Sequence, residues 1–352
     1  RQRASNPRRL LVLFCGDIPR DPSNPPPDDP GPPSDRAPFT LGRRRVRPGT
    51  VAHFELPVAQ VVSGAWLSLP VTVIHGALEG PAMWLSAAIH GDELNGIPII
   101  HGVLRQLQPE SLRGTVLAVP TVNVFGLIER SRYLPDRRDL NRSFPGSKRG
   151  SLAAQLAHLF MREVVERCSF GIDLHTGSGG RTNLPQIRCN LDHPLTRRLA
   201  EEFAAPLTLH ADLRDGSLRA AATELGIDVL LYEAGEALRF DEHAIDVGTH
   251  GILRVMKSQG MIDVETGPDP SPTVFSRHSA WLRAPRSGFC QMKVPLGARV
   301  DAGDPVAVLF DSGGREIRWM MAREAGVLIS CLRTALVHRG DAVAHVARLS
   351  ES

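Results

Sequence analysis

The chain has 352 residues, 42% of them apolar and 22% charged, with a formal net charge of +3. That balance is typical of a soluble globular protein with one large or two ordinary domains. The small net charge, with no run of lysines, offers no nucleic-acid surface, and the early apolar run Leu10 to Cys15 is far shorter than the roughly 20 residues of a membrane span.

Residues 1–37 hold Pro25-Pro26-Pro27-Asp28-Asp29-Pro30-Gly31-Pro32-Pro33. Proline at this density suits neither helix nor sheet interiors, so a disordered arm is expected. Residues 38–266 read as an α/β domain. Val51 to Leu56 and Leu67 to Ile74 alternate as antiparallel strands at a sheet edge. The apolar run Met83 to Ile89 reads as a buried strand and Leu94 to Leu107 as a helix. His90 and Glu93 therefore sit where a strand hands over to a helix, and in α/β folds sites are built at the carboxyl ends of strands.

Gly114 to Val119 reads as a strand, followed by a long polar stretch from Asn123 to Gly150. A loop of that length is usually functional. It carries Arg130, Arg132, Arg137 and Arg138 and the cluster Asp139-Leu140-Asn141-Arg142-Ser143-Phe144-Pro145-Gly146. The adjacent Asn141 and Arg142 suit a carboxylate, because a guanidinium fork donates two parallel hydrogen bonds. Ser151 to Cys168 has helical periodicity with Ser151 as cap.

The strand Phe170 to Leu174 ends at His175, with Asp173 on the same side two residues earlier. A helix over Leu195 to Ala205 precedes the strand Asp228 to Tyr232, which ends in Glu233-Ala234-Gly235, and Phe240 to Gln259 reads as the closing helix. The early antiparallel strands and the later strand–helix alternation predict an α/β/α sandwich with a mixed central sheet.

The proline-rich stretch Gly267 to Ser276 marks a boundary, so residues 267–352 are expected to form a small C-terminal all-β domain. It contains two half-repeats that would make a sandwich or barrel. Ala284-Pro285-Arg286-Ser287-Gly288 pairs with Ala322-Arg323-Glu324-Ala325-Gly326, and Gly303-Asp304 with Gly340-Asp341. Lys293 lies inside the first half-repeat rather than at the joining turn, which speaks against a lipoyl lysine. Five cysteines (Cys15, Cys168, Cys189, Cys290, Cys331), scattered and without a CxxC pair, argue against disulfides and a cysteine zinc site. A reducing, cytoplasmic setting is expected.

Two imidazoles and a carboxylate at strand ends, His90, Glu93 and His175, suit one Zn²⁺ per chain with a fourth position open for catalysis. Asp173 would orient a ligand histidine. Glu233 would act as general base and Arg132 would polarise the scissile carbonyl. Asn141 and Arg142 would hold a substrate carboxylate.

His90-Gly91-Asp92-Glu93-Leu94-Asn95-Gly96 resembles the HGxExxG motif of the succinylglutamate desuccinylase and aspartoacylase family, relatives of the zinc carboxypeptidases. Asp139 to Gly146 is similar to that family's DLNRxFPG, Asp173 to Thr176 to its third-ligand strand, and Tyr232 to Gly235 to its catalytic glutamate strand. The resemblance spans roughly residues 45–350. It implies the same roles for His90, Glu93, His175, Glu233, Asn141 and Arg142. It implies Arg132 as the polariser, with Arg137 or Arg138 as alternatives, since the loop between Arg132 and Asn141 varies in length within the family.

The implied reaction is zinc-dependent hydrolysis of the amide of a small N-acyl amino acid or amine. A zinc carboxypeptidase acting on short peptides is the alternative, and a non-catalytic binding protein on the same fold is the third reading. The expected partner is a small molecule carrying a carboxylate, with neither nucleic acid nor membrane, and a homo-oligomer is left open.

Overall fold

The computed structural model describes residues 35–349 apart from 61–63 and 65; the proline-rich stretch expected as a disordered arm falls within 1–34, outside the described residues. The elements in chain order are β1 (Phe39–Leu41), β2 (Arg44–Val46), β3 (Thr50–Gln60), β4 (Trp66–His75), β5 (Leu78–Ala87), α1 (Gly96–Leu104), β6 (Arg113–Val119), α2 (Val124–Glu129), α3 (Leu152–Glu163), β7 (Phe170–Gly177), β8 (Arg181–Cys189), α4 (Pro194–Phe203), β9 (Leu207–His210), α5 (Leu218–Glu224), β10 (Asp228–Glu236) and α6 (Glu242–Ser258). An all-β region follows: β11 (Val274–Ser276), β12 (Ser279–Arg283), β13 (Gly288–Met292), β14 (Arg299–Val300), β15 (Pro305–Phe310), β16 (Glu316–Met321), β17 (Gly326–Leu332), β18 (Leu336–Val337) and β19 (Ala342–Arg348).

The large sheet runs β12-β19-β17-β8-β10-β7-β5-β6-β4-β3 and is mixed. Its centre is parallel, β10 on β7 on β5 on β6, and β4 and β3 close one edge antiparallel. Parallel strands buried on both faces need no alternation, and β7 is buried at every position. One face packs on α1, α4 and α6 through Ile99, Val103, Phe203 and Ile252. The other packs on α3 and α5 through Leu156, Phe160 and Leu218. This is an α/β/α sandwich.

The helix starts follow local chemistry. Ser151, Ser217 and Asp241 each accept a backbone N–H of the first turn of α3, α5 and α6. The polar stretch after Asn123 is not all loop. Asn123 caps α2 through its side-chain oxygen, and a 3-10 turn spans Leu140–Arg142.

The C-terminal region contributes to two sheets. β16-β15-β13-β18 form a separate antiparallel sheet, while β17, β19 and β12 extend the large sheet from the edge of β8, with Ser330 opposite Asn183 and Cys331 opposite Thr182. Val306, Leu309, Leu328 and Val343 fill the space between the two sheets. The repeated Gly-Asp pairs precede β15 and β19, one strand in each sheet, and Gly303 and Gly340 share the left-handed conformation (φ 94° and 93°) that the turn needs. Among the described residues no helix is long and apolar enough to cross a membrane, and Cys168, Cys189, Cys290 and Cys331 are free thiols.

Candidate active site

β5 ends at Ala87, and the chain leaves it through buried Ala88 in the left-handed region (φ 49°). The next turn carries His90 and Glu93. It lies so close to α2 that a Cβ on Gly91 would come within 1.9 Å of the Gly126 carbonyl carbon. His175 arrives from β7, the neighbouring strand. All three side chains are buried.

Glu93 stands between the two rings. His90 Nδ1 lies 2.8 Å from its Oε1 and His175 Nδ1 2.7 Å from its Oε2, which also accepts from Thr176 N at 3.2 Å. The far nitrogen of each ring faces another carboxylate. His175 Nε2 is 2.8 Å from Asp173 Oδ2, whose other oxygen accepts from Ser86 Oγ, and His90 Nε2 is 3.2 Å from Asp139 Oδ1.

One ligand atom from each of His90, Glu93 and His175 lies within 4.8 Å of the others. Two nitrogens and an oxygen converging in this way, with each ring braced by a carboxylate, fit a catalytic zinc site. The electrostatics agree. Burial works against charge on Glu93, yet His90 and His175 hold its carboxyl well below the usual range. Burial also opposes charge on His175, and Asp173 and Glu93 overcome it and raise the ring well above its usual value. His90 is raised against its burial by Glu93 and Asp139. The cluster is a well for positive charge, which a divalent cation satisfies as protons do.

Glu233 lies in β10, just before an irregularity in its pairing, as the register partner of His175. Its Oε2 accepts from Asn183 Nδ2 at 2.7 Å, and Arg188 Nη1 lies 3.6 Å from its Oε1. Asn95, from the same turn as His90 and Glu93, ties that turn to β10 and the start of α6: its Nδ2 donates to Ala234 O at 3.2 Å and its Oδ1 accepts from Asp241 N at 2.9 Å. Only a glycine leaves room for this at 235, where a Cβ would come within 2.3 Å of Asn95 Nδ2.

Of the three candidate polarisers, Arg132 is the one beside the triad. It donates to Asp139 Oδ2 through Nε and Nη2 (3.2 and 3.0 Å) and to Glu93 Oε1 through Nη1 (3.2 Å). Arg138 faces Asp136 at 3.9 Å with 63% of its side chain exposed, and neither Arg137 nor Arg138 is among the described residues that line the cavity. Asn141, buried, is fixed by accepting from Leu218 N at 2.9 Å, and Arg142 is exposed beside it.

All seven site residues expected from sequence line one cavity of about 900 Å³. Seven arginines and four carboxylates face it, which suits an acidic ligand. Thr176, Gly177, Ser178 and Arg181 line it as well, and Ser279, Trp281, Ser330 and His345 form a wall from the C-terminal strands. Asp139, Asn183, Arg188 and this wall are the parts that sequence reasoning did not assign. The only signal was a set of polar residues inside apolar strands.

A profile of the succinylglutamate desuccinylase/aspartoacylase catalytic domain matches residues 79–259, just over half the chain. N-alpha-acetyl-L-2,4-diaminobutyric acid deacetylase from Halomonas elongata is 29% identical over 317 residues, 85% of this chain and 91% of the relative. A product-bound structure of the ectoine utilization protein EutE (DoeB) from Ruegeria pomeroyi superposes with a TM-score of 0.78 at 26% identity, covering 89% of this chain and 100% of that one. A succinylglutamate desuccinylase/aspartoacylase from Rhodobacter sphaeroides gives 0.76 at 27% identity, covering 86% and 96%.

Proposed function

From the premise that this chain belongs to the succinylglutamate desuccinylase/aspartoacylase family, we propose that it is a zinc-dependent deacylase that hydrolyses the amide of a small N-acyl amino acid. The observation that carries the reading is the register of Glu233 with His175, which sets an acceptor carboxylate next to a buried two-histidine, one-carboxylate cluster. His90, Glu93 and His175 hold the metal, one ion per chain. The chemistry zinc supplies at such a site is Lewis acidity, which makes water a nucleophile near neutral pH.

The remaining roles fall to the chain's own groups. Glu233, its carboxylate steadied by Asn183, takes the proton from the attacking water and delivers it to the leaving nitrogen. Arg132 aims N–H groups at the carbonyl oxygen as it gains charge, an aid commonly worth about 3 kcal/mol per donor. Asn141 and Arg142 hold the substrate carboxylate. The wall built by β12, β17 and β19 closes one side of the cavity, which favours small substrates over peptides.

The test is metal content, followed by turnover of an N-acyl amino acid panel with and without chelator. We expect about one zinc per chain, release of free amine that chelator stops, and a kcat lower by about 10³-fold in Glu233→Gln with its metal retained. A chain that takes up no metal, or a Glu233→Gln variant with unchanged turnover, would overturn this reading.

A further inference from the structure

The separate sheet β16-β15-β13-β18 turns one face to the core between the two C-terminal sheets, through Met292, Leu309, Met320 and Val337. The opposite face of such a sheet is ordinarily polar, because alternate side chains meet solvent. Here it is apolar. Phe289 of β13, Trp319 and Met321 of β16 and Leu336 of β18 are 45%, 41%, 42% and 59% exposed.

Sheet register gathers them into one patch. Leu336 stands opposite Phe289, Phe289 opposite Phe310, and Phe310 opposite Glu316. In the next row Gln291 stands opposite Val308 and Val308 opposite Trp319. Directly opposed residues point to the same face. Lys293 follows Phe289 and Gln291 at alternate positions, with its backbone N–H donated to Val306 O at 2.8 Å, so it continues their face.

The charges on this face are two, and they lie at opposite corners. Lys293 is held over the Trp319 ring at 5.8 Å and donates to Gln291 Oε1 at 2.7 Å, with no carboxylate near it among the described residues. Glu316 ends the first row on β16 and has no cationic partner among the described residues. A two-fold axis lying in the face between these corners brings Glu316 of each copy to Lys293 of the other and closes apolar side chains on apolar side chains. Self-complementarity of this kind is what an isologous contact requires. A membrane surface would instead call for a cluster of basic residues around the apolar patch.

We propose that this face is the docking surface for a second copy of the chain, in a two-fold dimer centred on Phe289, Trp319 and Leu336 with reciprocal Glu316–Lys293 pairs at its margin. Aromatic and methionine side chains at the centre and charges at the rim are the ordinary anatomy of an interface. Strands about 4.8 Å apart and same-face residues about 7 Å apart give a face of roughly 300–400 Å². That is well short of the about 800 Å² per partner of a standard stable complex, so the dimer is weak and reversible. None of these residues lines the active-site cavity, so both sites stay open in the dimer, and the proposal is independent of the deacylase reading.

The full chain is examined by sedimentation equilibrium from about 1 to 200 μM, where a contact of this size is expected to show a Kd of about 1–100 μM. Trp319→Ser should raise that Kd about 30-fold or more, as loss of a central aromatic anchor does. Lys293→Glu and Glu316→Lys should each raise it about 3–10-fold by opposing like charges, and the two together should return it to within about threefold of wild type. The charge reversals sit at exposed positions and keep the test open if Trp319→Ser fails to fold, which circular dichroism reads. A wild-type chain that stays monomeric at 200 μM overturns the proposal. So does an oligomer whose dissociation none of the variants changes, or a pair of charge reversals whose effects add instead of cancelling.

Discussion

Glu93 answers to four donors, His90, His175, Arg132 and the Thr176 amide, and it is buried among them. A carboxylate so placed is held charged and still, as a metal ligand must be. The histidines are oriented in turn by Asp139 and Asp173, and only Asp173 was readable beforehand, because it precedes His175 by two on one strand. Asp139 is 49 residues from His90 in sequence, and no local spacing links them. Asp173→Asn keeps the size of the side chain but loses the acceptor charge behind His175, and we expect zinc affinity to fall about 10–100-fold, measured by competition with a chelator. Unchanged affinity would mean that the strand and Glu93 alone hold the ring.

The turn between β5 and α1 is where local sequence and tertiary contact meet. Its motif is legible because histidine, glutamate and small residues cluster after an apolar strand. Its tightness is not, because Gly91 is needed for the approach of α2, a helix inside the long polar stretch. Gly91→Ala drives a Cβ into backbone, where no side chain can swing aside. We expect a loss of about 1–3 kcal/mol, read by denaturant unfolding, together with weaker metal uptake as His90 shifts. Full stability with normal zinc content would show that α2 can move at little cost.

At the scale of the molecule, the decisive feature is that the large sheet crosses the proline-rich stretch after α6. β17 hydrogen-bonds to β8, and the apolar residues between the two C-terminal sheets rest on strands that also wall the cavity. Sheet continuity couples the two parts, so calorimetry should show one unfolding transition. Leu328→Ala, at a fully buried position between the sheets, should lower stability by about 2–5 kcal/mol and move that single transition as a whole. A separate early transition in the variant would show the C-terminal region to be an independent unit.

The sequence by itself determined the sandwich, because strand and helix periodicities are local and the apolar runs are long. It also singled out His90, Glu93, His175 and Glu233 as candidates, because each lies at or just beyond an apolar run, where a buried charged side chain is out of place unless it serves a site. That Arg132, rather than Arg137 or Arg138, stands beside the cluster is visible only in the tertiary structure, since all three share one polar stretch and only its fold sends one guanidinium to Glu93. The same holds for Asn183, Arg188, Ser330 and His345, which come from strands up to 162 positions apart and become neighbours only through sheet register. Register is a long-range property that no window of sequence contains.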